Sequence, residues 1–254
     1  MKKSALITGA SSGIGQATAR ILAQAGYNLV LTARRAINIR ELKREIEATF
    51  PECEVLSLSF DIRDKLQCEA ALENLPEEFR TIDLLINNAG LAAGFEHISQ
   101  GDTNDWDAMI DTNIKGLLYV SKIISNKMID QGYGHIINIG SIAGVQPYEN
   151  GTVYCASKHA VHALSQGMRI DLLEHGIKVT EIRPGMVETE FSLVRFQGDL
   201  ERAKQVYEGI EPLCADDIAD TILWVSEQPE HVNINEIEIM PTYQANSFYT
   251  HRKQ

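Results

Sequence analysis

The chain has 254 residues, 44% of them hydrophobic, which suits one large α/β domain with a substantial core. Its 35 acidic and 23 basic residues leave a net charge of −12, which repels nucleic acid and anionic membranes and argues against both as partners. The four cysteines, Cys53, Cys68, Cys155 and Cys214, are scattered without a Cys-x-x-Cys pair or a Cys/His cluster, so neither a metal site nor a disulfide framework is expected.

The N-terminus carries two lysines but too short an apolar run for a signal peptide, and no stretch approaches the ~20 apolar residues of a membrane span. A cytoplasmic protein is expected. Ser4–Thr8 predicts a first strand. It runs into Thr8-Gly9-Ala10-Ser11-Ser12-Gly13-Ile14-Gly15, and a helical pattern follows with Ala17, Ile21, Leu22 and Ala25 on one face, closed by Gly26. Strand, glycine-rich turn and helix together form a dinucleotide-binding opening. Glycines let the backbone approach a pyrophosphate, and the helix N-terminus offers free N–H groups to its charge. Gly9, Ser11, Ser12, Gly13, Ile14 and Gly15 are the candidate contacts.

Tyr27–Thr32 reads as the second strand and ends at Arg34-Arg35. An acid here would accept from the ribose 2′-hydroxyl of NAD; two guanidinium groups instead suit a 2′-phosphate, so NADP is the expected cofactor. A charged helix over Ile37–Thr49 follows. Glu54–Ser59 is a third strand leading to Asp61-Ile62, where Asp61 is either a helix cap or an acceptor for an adenine amino group. The apolar Ile82–Ile86 is a fourth strand and ends in Asn87-Asn88-Ala89-Gly90. The amides can bond neighbouring strand ends, and the small Ala-Gly pair leaves room for a cofactor.

Asp102–Met128 reads as one long helix containing Asn113. Gly134–Ile139 is a fifth strand with Ser141 just beyond it. A helix opens near Gly151 and runs to about His175. Tyr154 and Lys158, four residues apart, leave the same face of it. A tyrosine titrates near pH ~10, and a neighbouring ammonium would favour its phenolate and fit it for proton exchange with a substrate oxygen. Ile177–Arg183 is a sixth strand, ending at Pro184-Gly185. Glu188–Pro212 has no clear strand and follows a strand's carboxyl end, where ligands bind in open α/β sheets; it is the expected substrate-binding region. Ala215–Gln228 is a final helix and Asn235–Met240 a last strand, while residues 242–254 show no pattern. Strands and helices alternate throughout, so residues 1–254 are expected to form one doubly wound α/β domain, a Rossmann fold with a parallel sheet of about seven strands.

Thr8–Gly15, Asn87–Gly90, Asn113, Ser141, Tyr154-x-x-x-Lys158 and Pro184-Gly185, in this order and spacing, resemble the short-chain dehydrogenase/reductase family along nearly the whole chain. The resemblance implies a catalytic tetrad of Asn113, Ser141, Tyr154 and Lys158. Tyr154 would exchange the proton with the reacting oxygen and Ser141 would hold that oxygen. Lys158 would lower the tyrosine pKa and hold the nicotinamide ribose, and Asn113 would position a water linking Lys158 to solvent. It also implies cofactor contacts at Asp61, Ile62, Asn88, Ala89, Gly90, Tyr154, Lys158, Pro184, Gly185, Val187 and Thr189, with Thr189 on the nicotinamide carboxamide.

Ile82–Gly94, Trp106–Leu117, His135–Gly144, Thr189–Asp199 and His231–Thr242 are more narrowly similar to the NADP-dependent 3-hydroxy acid dehydrogenases, which are cytoplasmic homotetramers that oxidise the 3-hydroxyl of small acids such as serine, allo-threonine or 3-hydroxyisobutyrate. Such a substrate would contact Ser141 and Tyr154 and needs a cation for its carboxylate. Arg195 is the first candidate, because a guanidinium binds a carboxylate through two parallel bonds, and Arg183 is the second. The competing readings are a reductase of acyl thioesters or larger ketones, and a cofactor-sensing protein without turnover.

Overall fold

In the computed structural model, which describes residues 2–253, seven strands form one parallel sheet. They are β1 (Ser4–Thr8), β2 (Asn28–Ala33), β3 (Val55–Ser59), β4 (Leu84–Asn87), β5 (Gly134–Ile139), β6 (Ile177–Pro184) and β7 (Glu236–Ile239), in the order β3-β2-β1-β4-β5-β6-β7. The helices are α1 (Gly13–Gln24), α2 (Ala36–Thr49), α3 (Lys65–Leu72), α4 (Thr103–Ile110), α5 (Leu117–Gln131), α6 (Thr152–Asp171), α7 (Glu190–Arg195), α8 (Leu200–Gln205) and α9 (Ala215–Ser226). The strand order reverses between β1 and β4, and the crevice opens there, at the strands' carboxyl ends.

β1 and β2 are buried at every position, as strands covered on both faces must be. Alternation divides their side chains between two layers. Ala5, Ile7, Leu29 and Leu31 pack with Leu22 of α1, Leu42 of α2 and Ile222 of α9. Leu6, Val30 and Leu85 pack with Leu72 of α3 and Ile124 of α5. No described helix is long and apolar enough to cross a membrane.

Three segments differ from the sequence-based expectation. The stretch expected to be one helix over Asp102–Met128 is α4 and α5 joined by a π-helical turn, Asp111–Gly116. Such turns insert a residue and re-aim side chains, often at functional sites; here the turn carries the buried Asn113. The helix that a cap at Asp61 would open is α3, which starts later, at Lys65. Its cap is Asp64, which accepts from Leu66 N and Gln67 N, so Asp61 is not a helix cap; it pairs with Arg63 at 2.6 Å. Residues 188–212 contain α7 and α8, and a parallel bridge between Val187 and Leu213 closes their base.

Candidate active site

The floor of the crevice is tied together at the ends of β1, β4 and β5. Asn88 N and Ala89 N both donate to Thr8 Oγ1 at 3.0 Å, and Asn88 Nδ2 donates to Thr8 O at 2.9 Å. Asn87 Nδ2 reaches Asn138 Oδ1 at 2.9 Å and Ser121 Oγ at 2.8 Å. The amides thus join neighbouring strand ends, as expected, and fix the turns that follow them. Gly9 has φ of +67°, and a Cβ there would stand 2.9 Å from Ala89 Cα, so the turn after β1 tolerates no side chain. The helix that follows has no side-chain cap on its first-turn N–H groups, which leaves them for an anion.

One continuous cleft is lined by Gly9, Ser11, Ser12, Gly13, Ile14, Arg34, Arg35, Asp61, Ile62, Asn88, Ala89, Gly90, Ser141, Tyr154, Lys158, Pro184, Gly185, Val187 and Thr189. Uncapped helix start, side-chain-free turn and paired guanidinium groups fit a phosphorylated dinucleotide. Arg35 holds Ser12 Oγ at 2.6 Å, Ser11 Oγ at 3.2 Å and Glu190 at 2.9 Å, so it links the turn to α7. Gly15 does not line the cleft. Its Cα packs under the turn, where a Cβ would stand 2.5 Å from both Gly9 O and Asn88 Nδ2; its contribution is close packing.

Tyr154 and Lys158 leave one face of α6, as their spacing predicts, and both are buried at the cleft wall beside Ser141. Ser141 sits in extended backbone just past β5 and accepts from Ala143 N at 3.1 Å. Asn113 is not on the cleft wall. Its Oδ1 accepts from Leu91 N at 2.9 Å, and its Nδ2 donates to Leu91 O at 2.8 Å and Ser157 Oγ at 2.9 Å. Ser157 in turn donates to Tyr154 O at 2.7 Å. The amide therefore clamps the segment after Gly90 to the Tyr/Lys helix. A Cβ on Gly90 would meet both Asn113 Oδ1 at 3.2 Å and Lys158 Nζ at 3.6 Å, so the two groups flank one backbone position.

The electrostatics differ from the expectation that Lys158 lowers the tyrosine pKa. Burial pushes the Tyr154 phenol up, reinforced by Tyr148, and the opposing groups are Ser141 and Arg195. Lys158 Nζ donates instead to Ile139 O at 2.8 Å. Burial lowers its pKa to about 8, with Glu181 working the other way.

The two arginine candidates separate. Arg183 is partly buried and committed: its Nη1 lies 2.9 Å from Glu236, 3.6 Å from Glu181 and 3.4 Å from His162 Nδ1. It lines neither the cleft nor the cavity beside Tyr154, which corrects its candidacy for a substrate carboxylate. His162, Glu181 and Glu236 also bring together a set of metal-type ligand atoms, within 4.8 Å of one another, and the Arg183 guanidinium is the cation that stands among them. Arg195 lines a smaller cavity that shares Tyr154 with the cleft. Its guanidinium carbon is 4.8 Å from the ring centre of Phe95, 5.4 Å from that of Tyr148 and 5.5 Å from that of Tyr154. Its Nη2 is buried without a partner among the described residues.

Sequence reasoning missed several groups here. Phe191 packs edge-on to Tyr154, with ring centres 5.6 Å apart. Gln244 Oε1 accepts from Met186 N at 2.8 Å and holds the stretch carrying Val187 and Thr189. Arg252 donates to Glu208 O and Val206 O, so the C-terminal segment packs on its own chain's 188–212 region. Nothing in their local spacing marks these residues; only their tertiary contacts do.

The family model for short chain dehydrogenases matches residues 3–198. The chain is 44% identical over 245 residues to a serine 3-dehydrogenase of Agrobacterium fabrum, spanning 96% of each chain. It is 42% identical over 241 residues to the NADP-dependent 3-hydroxy acid dehydrogenase YdfG of Salmonella typhi, spanning 94% of this chain and 95% of the relative. Among solved structures, the closed form of a serine dehydrogenase complexed with NADP+ superposes with a TM-score of 0.92 at 40% identity, covering 99% of this chain and all of the other.

Proposed function

The chain belongs to the short-chain dehydrogenase family, and we propose that it is an NADP-dependent enzyme oxidising the 3-hydroxyl of small hydroxy acids of the serine, allo-threonine and 3-hydroxyisobutyrate type. The observation that carries the substrate reading is Arg195. A guanidinium with a buried, unpartnered nitrogen stands 5.5 Å from the ring of the candidate acid–base tyrosine, in a wall otherwise built of Phe95 and Tyr148. A desolvated guanidinium is a strong carboxylate anchor. The names of the relatives, serine 3-dehydrogenase and NADP-dependent 3-hydroxy acid dehydrogenase, support the same reading.

In this mechanism Arg195 and Ser141 orient the substrate, the first through its carboxylate and the second through its reacting oxygen. Bound NADP supplies the hydride acceptor or donor. Tyr154 takes the hydroxyl proton in oxidation and returns it in reduction. Burial favours its protonated form, which suits donation to a developing alkoxide; oxidation draws on Ser141 and Arg195, the groups that oppose burial, to stabilise the phenolate. Asn113 acts by fixing α6 and Gly90, the backbone against which Lys158 lies. Arg34 and Arg35 would hold the 2′-phosphate, Asp61 and Ile62 the adenine end and Thr189 the nicotinamide end of NADP, since all five line the one cleft. Residues 188–212 form a lid over the substrate. The working form is a cytoplasmic homotetramer; exposed apolar side chains such as Leu118, Ile170 and Trp224 support the association of subunits alone.

The test is NADPH formation from a panel of small 3-hydroxy acids, with plain secondary alcohols, acyl thioesters in the reverse direction, and NAD as controls. Turnover of 3-hydroxy acids with NADP, well above NAD and above the plain alcohols, is expected. Thioester or bulky-ketone reduction without 3-hydroxy acid turnover would keep the chemistry and remove the substrate assignment.

A further inference from the structure

Beside the main cleft lies a smaller cavity that shares Tyr154 with it and is lined by Gly94, Glu96, Trp106, Asn150 and Arg195. Two polar atoms at this cavity are buried without a partner among the described residues: Arg195 Nη2 and Asn150 Oδ1. One is a cationic donor and the other a neutral acceptor. A buried polar atom left unpaired costs free energy, so this pair is built to be completed by something with an anionic acceptor and a donor.

Asn150 adopts φ of +63°, in the left-handed region. Asparagine tolerates that conformation, and a tight turn before α6 accounts for its backbone. The turn gives no reason for the amide oxygen to be shut away from water at the wall of a cavity that Tyr154 also lines. Arg195 is held by its own neighbours: Gly94 N donates to Arg195 O at 3.2 Å, and Arg195 Nε donates to Gly94 O at 3.4 Å. Gly94 in turn is flanked by carboxylates. A Cβ there would stand 2.6 Å from Glu96 Oε2 and 3.2 Å from Asp105 Oδ2. Desolvation, then the neighbouring carboxylates of Asp102 and Glu96, raise the Asp105 pKa.

We infer that this cavity is an ammonium subsite, in which Asn150 Oδ1, backed by the charge of Glu96, accepts from the 2-ammonium of a 2-amino-3-hydroxy acid whose carboxylate lies on Arg195. The inference rests on the 3-hydroxy acid reading and narrows it: the zwitterionic acid is preferred over its counterpart without the amino group. Arg195 serves both classes of substrate. Asn150 and Glu96 serve only the amino acid. A site built to hydrogen-bond a polar group discriminates strongly against an analogue lacking it.

The experiment compares kcat/KM for serine with kcat/KM for 3-hydroxypropanoate, with NADP, in wild type, Asn150→Gly and Glu96→Gln. Glycine suits the left-handed turn at least as well as asparagine, so Asn150→Gly removes the amide without straining the backbone. The expected result is a fall of about tenfold or more for serine in Asn150→Gly, with 3-hydroxypropanoate within about twofold of wild type and a smaller change in the same sense for Glu96→Gln. Equal losses on both substrates would mean a structural effect on α6 and would overturn the subsite. No loss on either would overturn it as well. In both cases the 3-hydroxy acid reading survives, because wild type still turns over both acids. If wild type oxidises neither, that reading and the subsite fall together.

Discussion

At the floor of the cleft, Thr8, Asn87, Asn88 and Asn138 bind one another and the backbone through short bonds between buried strand ends. The roof, residues 188–212, is held differently. Side chains from distant segments latch it and its base, Arg35 on Glu190, Gln244 on Met186 and Arg252 on the carbonyls of Val206 and Glu208, beside isolated backbone bonds such as Gly94 N to Arg195 O and Lys253 N to Gly209 O. The Arg35–Glu190 pair is about half exposed on both sides, and exposed pairs contribute little to stability. A floor fixed by the sheet and a roof fixed by a few weak latches make a division of labour; in the proposed mechanism the floor presets the reacting groups while the roof closes over the substrate.

The sharpest way to break that division is at Tyr154. Tyr154→Phe keeps the buried ring and its packing on Phe191 and removes only the phenolic hydroxyl. Turnover is expected to drop by roughly a hundred- to ten-thousand-fold, while NADPH binding, followed by fluorescence, stays within about twofold. A parallel loss of cofactor affinity would show that the floor is not preset and that the hydroxyl organises it.

The sheet that carries the floor has a pH signature at the opposite end of its strands, where His135 pairs with Leu84. His135, on β5, is buried, and desolvation first, then Lys178, lower its pKa to about 3. Thr180 donates to Ile234 O at 2.6 Å, so at 2.9 Å it accepts from His135 Nε2–H, and the ring is neutral. The unfolded chain takes up this proton near pH ~6.5 and the folded chain only near pH 3. Between those values the unfolded state binds more protons, so stability is present above the window and is lost as the pH falls through it, by several kcal/mol in order of magnitude. His135→Gln is expected to flatten the dependence of urea midpoint on pH over that interval. An unchanged slope would mean that other groups carry the acid sensitivity.

Much of the floor was legible in the sequence and little of the roof was, for a physical reason. Glycine-rich turn, paired asparagines and the Tyr154/Lys158 spacing act through local backbone geometry, which adjacent residues record. The π turn at Asn113 is a one-residue insertion into a helix and leaves the amphipathic pattern almost intact, so one long helix was the natural reading. Arg195 is legible as a cation in the 188–212 region, but what separates it from Arg183 is Glu181, Glu236 and Glu238, which surround Arg183 only once β6 and β7 pair. Gln244 and Phe191 matter through contacts with residues that no local pattern connects to them.

The comparison can be sharpened at Arg35, which belongs to both regions, touching Ser11 and Ser12 below and Glu190 above. Arg35→Ala is expected to raise the KM for NADP about ten- to a hundredfold, the loss of one charge-assisted contact to a phosphate, and to change the KM for NAD only a fewfold. A similar loss with both cofactors would mean that Arg35 acts by latching the roof and not by reading the 2′-phosphate.

The smallest expected effect tests the roof alone. Gln244 is 5% exposed, accepts from Met186 N at 2.8 Å and donates to Asn246 O at 3.3 Å. It touches none of the candidate acid–base groups; its bond from Met186 N joins the C-terminal segment to the base of the roof, and its bond to Asn246 O fixes it within that segment. Gln244→Ala leaves Met186 N unpaired, a local cost of about 1 kcal/mol or somewhat more, which falls on the stretch carrying Val187 and Thr189. The expected outcome is a rise of about three- to tenfold in substrate KM, a small change in kcat, and faster limited proteolysis within residues 188–212. If the latches act together, Gln244→Ala combined with Arg35→Ala costs more than the two singles added; independent latches give additivity. A large fall in kcat with KM unchanged would instead place Gln244 in control of the floor, and the separation between a preset floor and a latched roof would not hold.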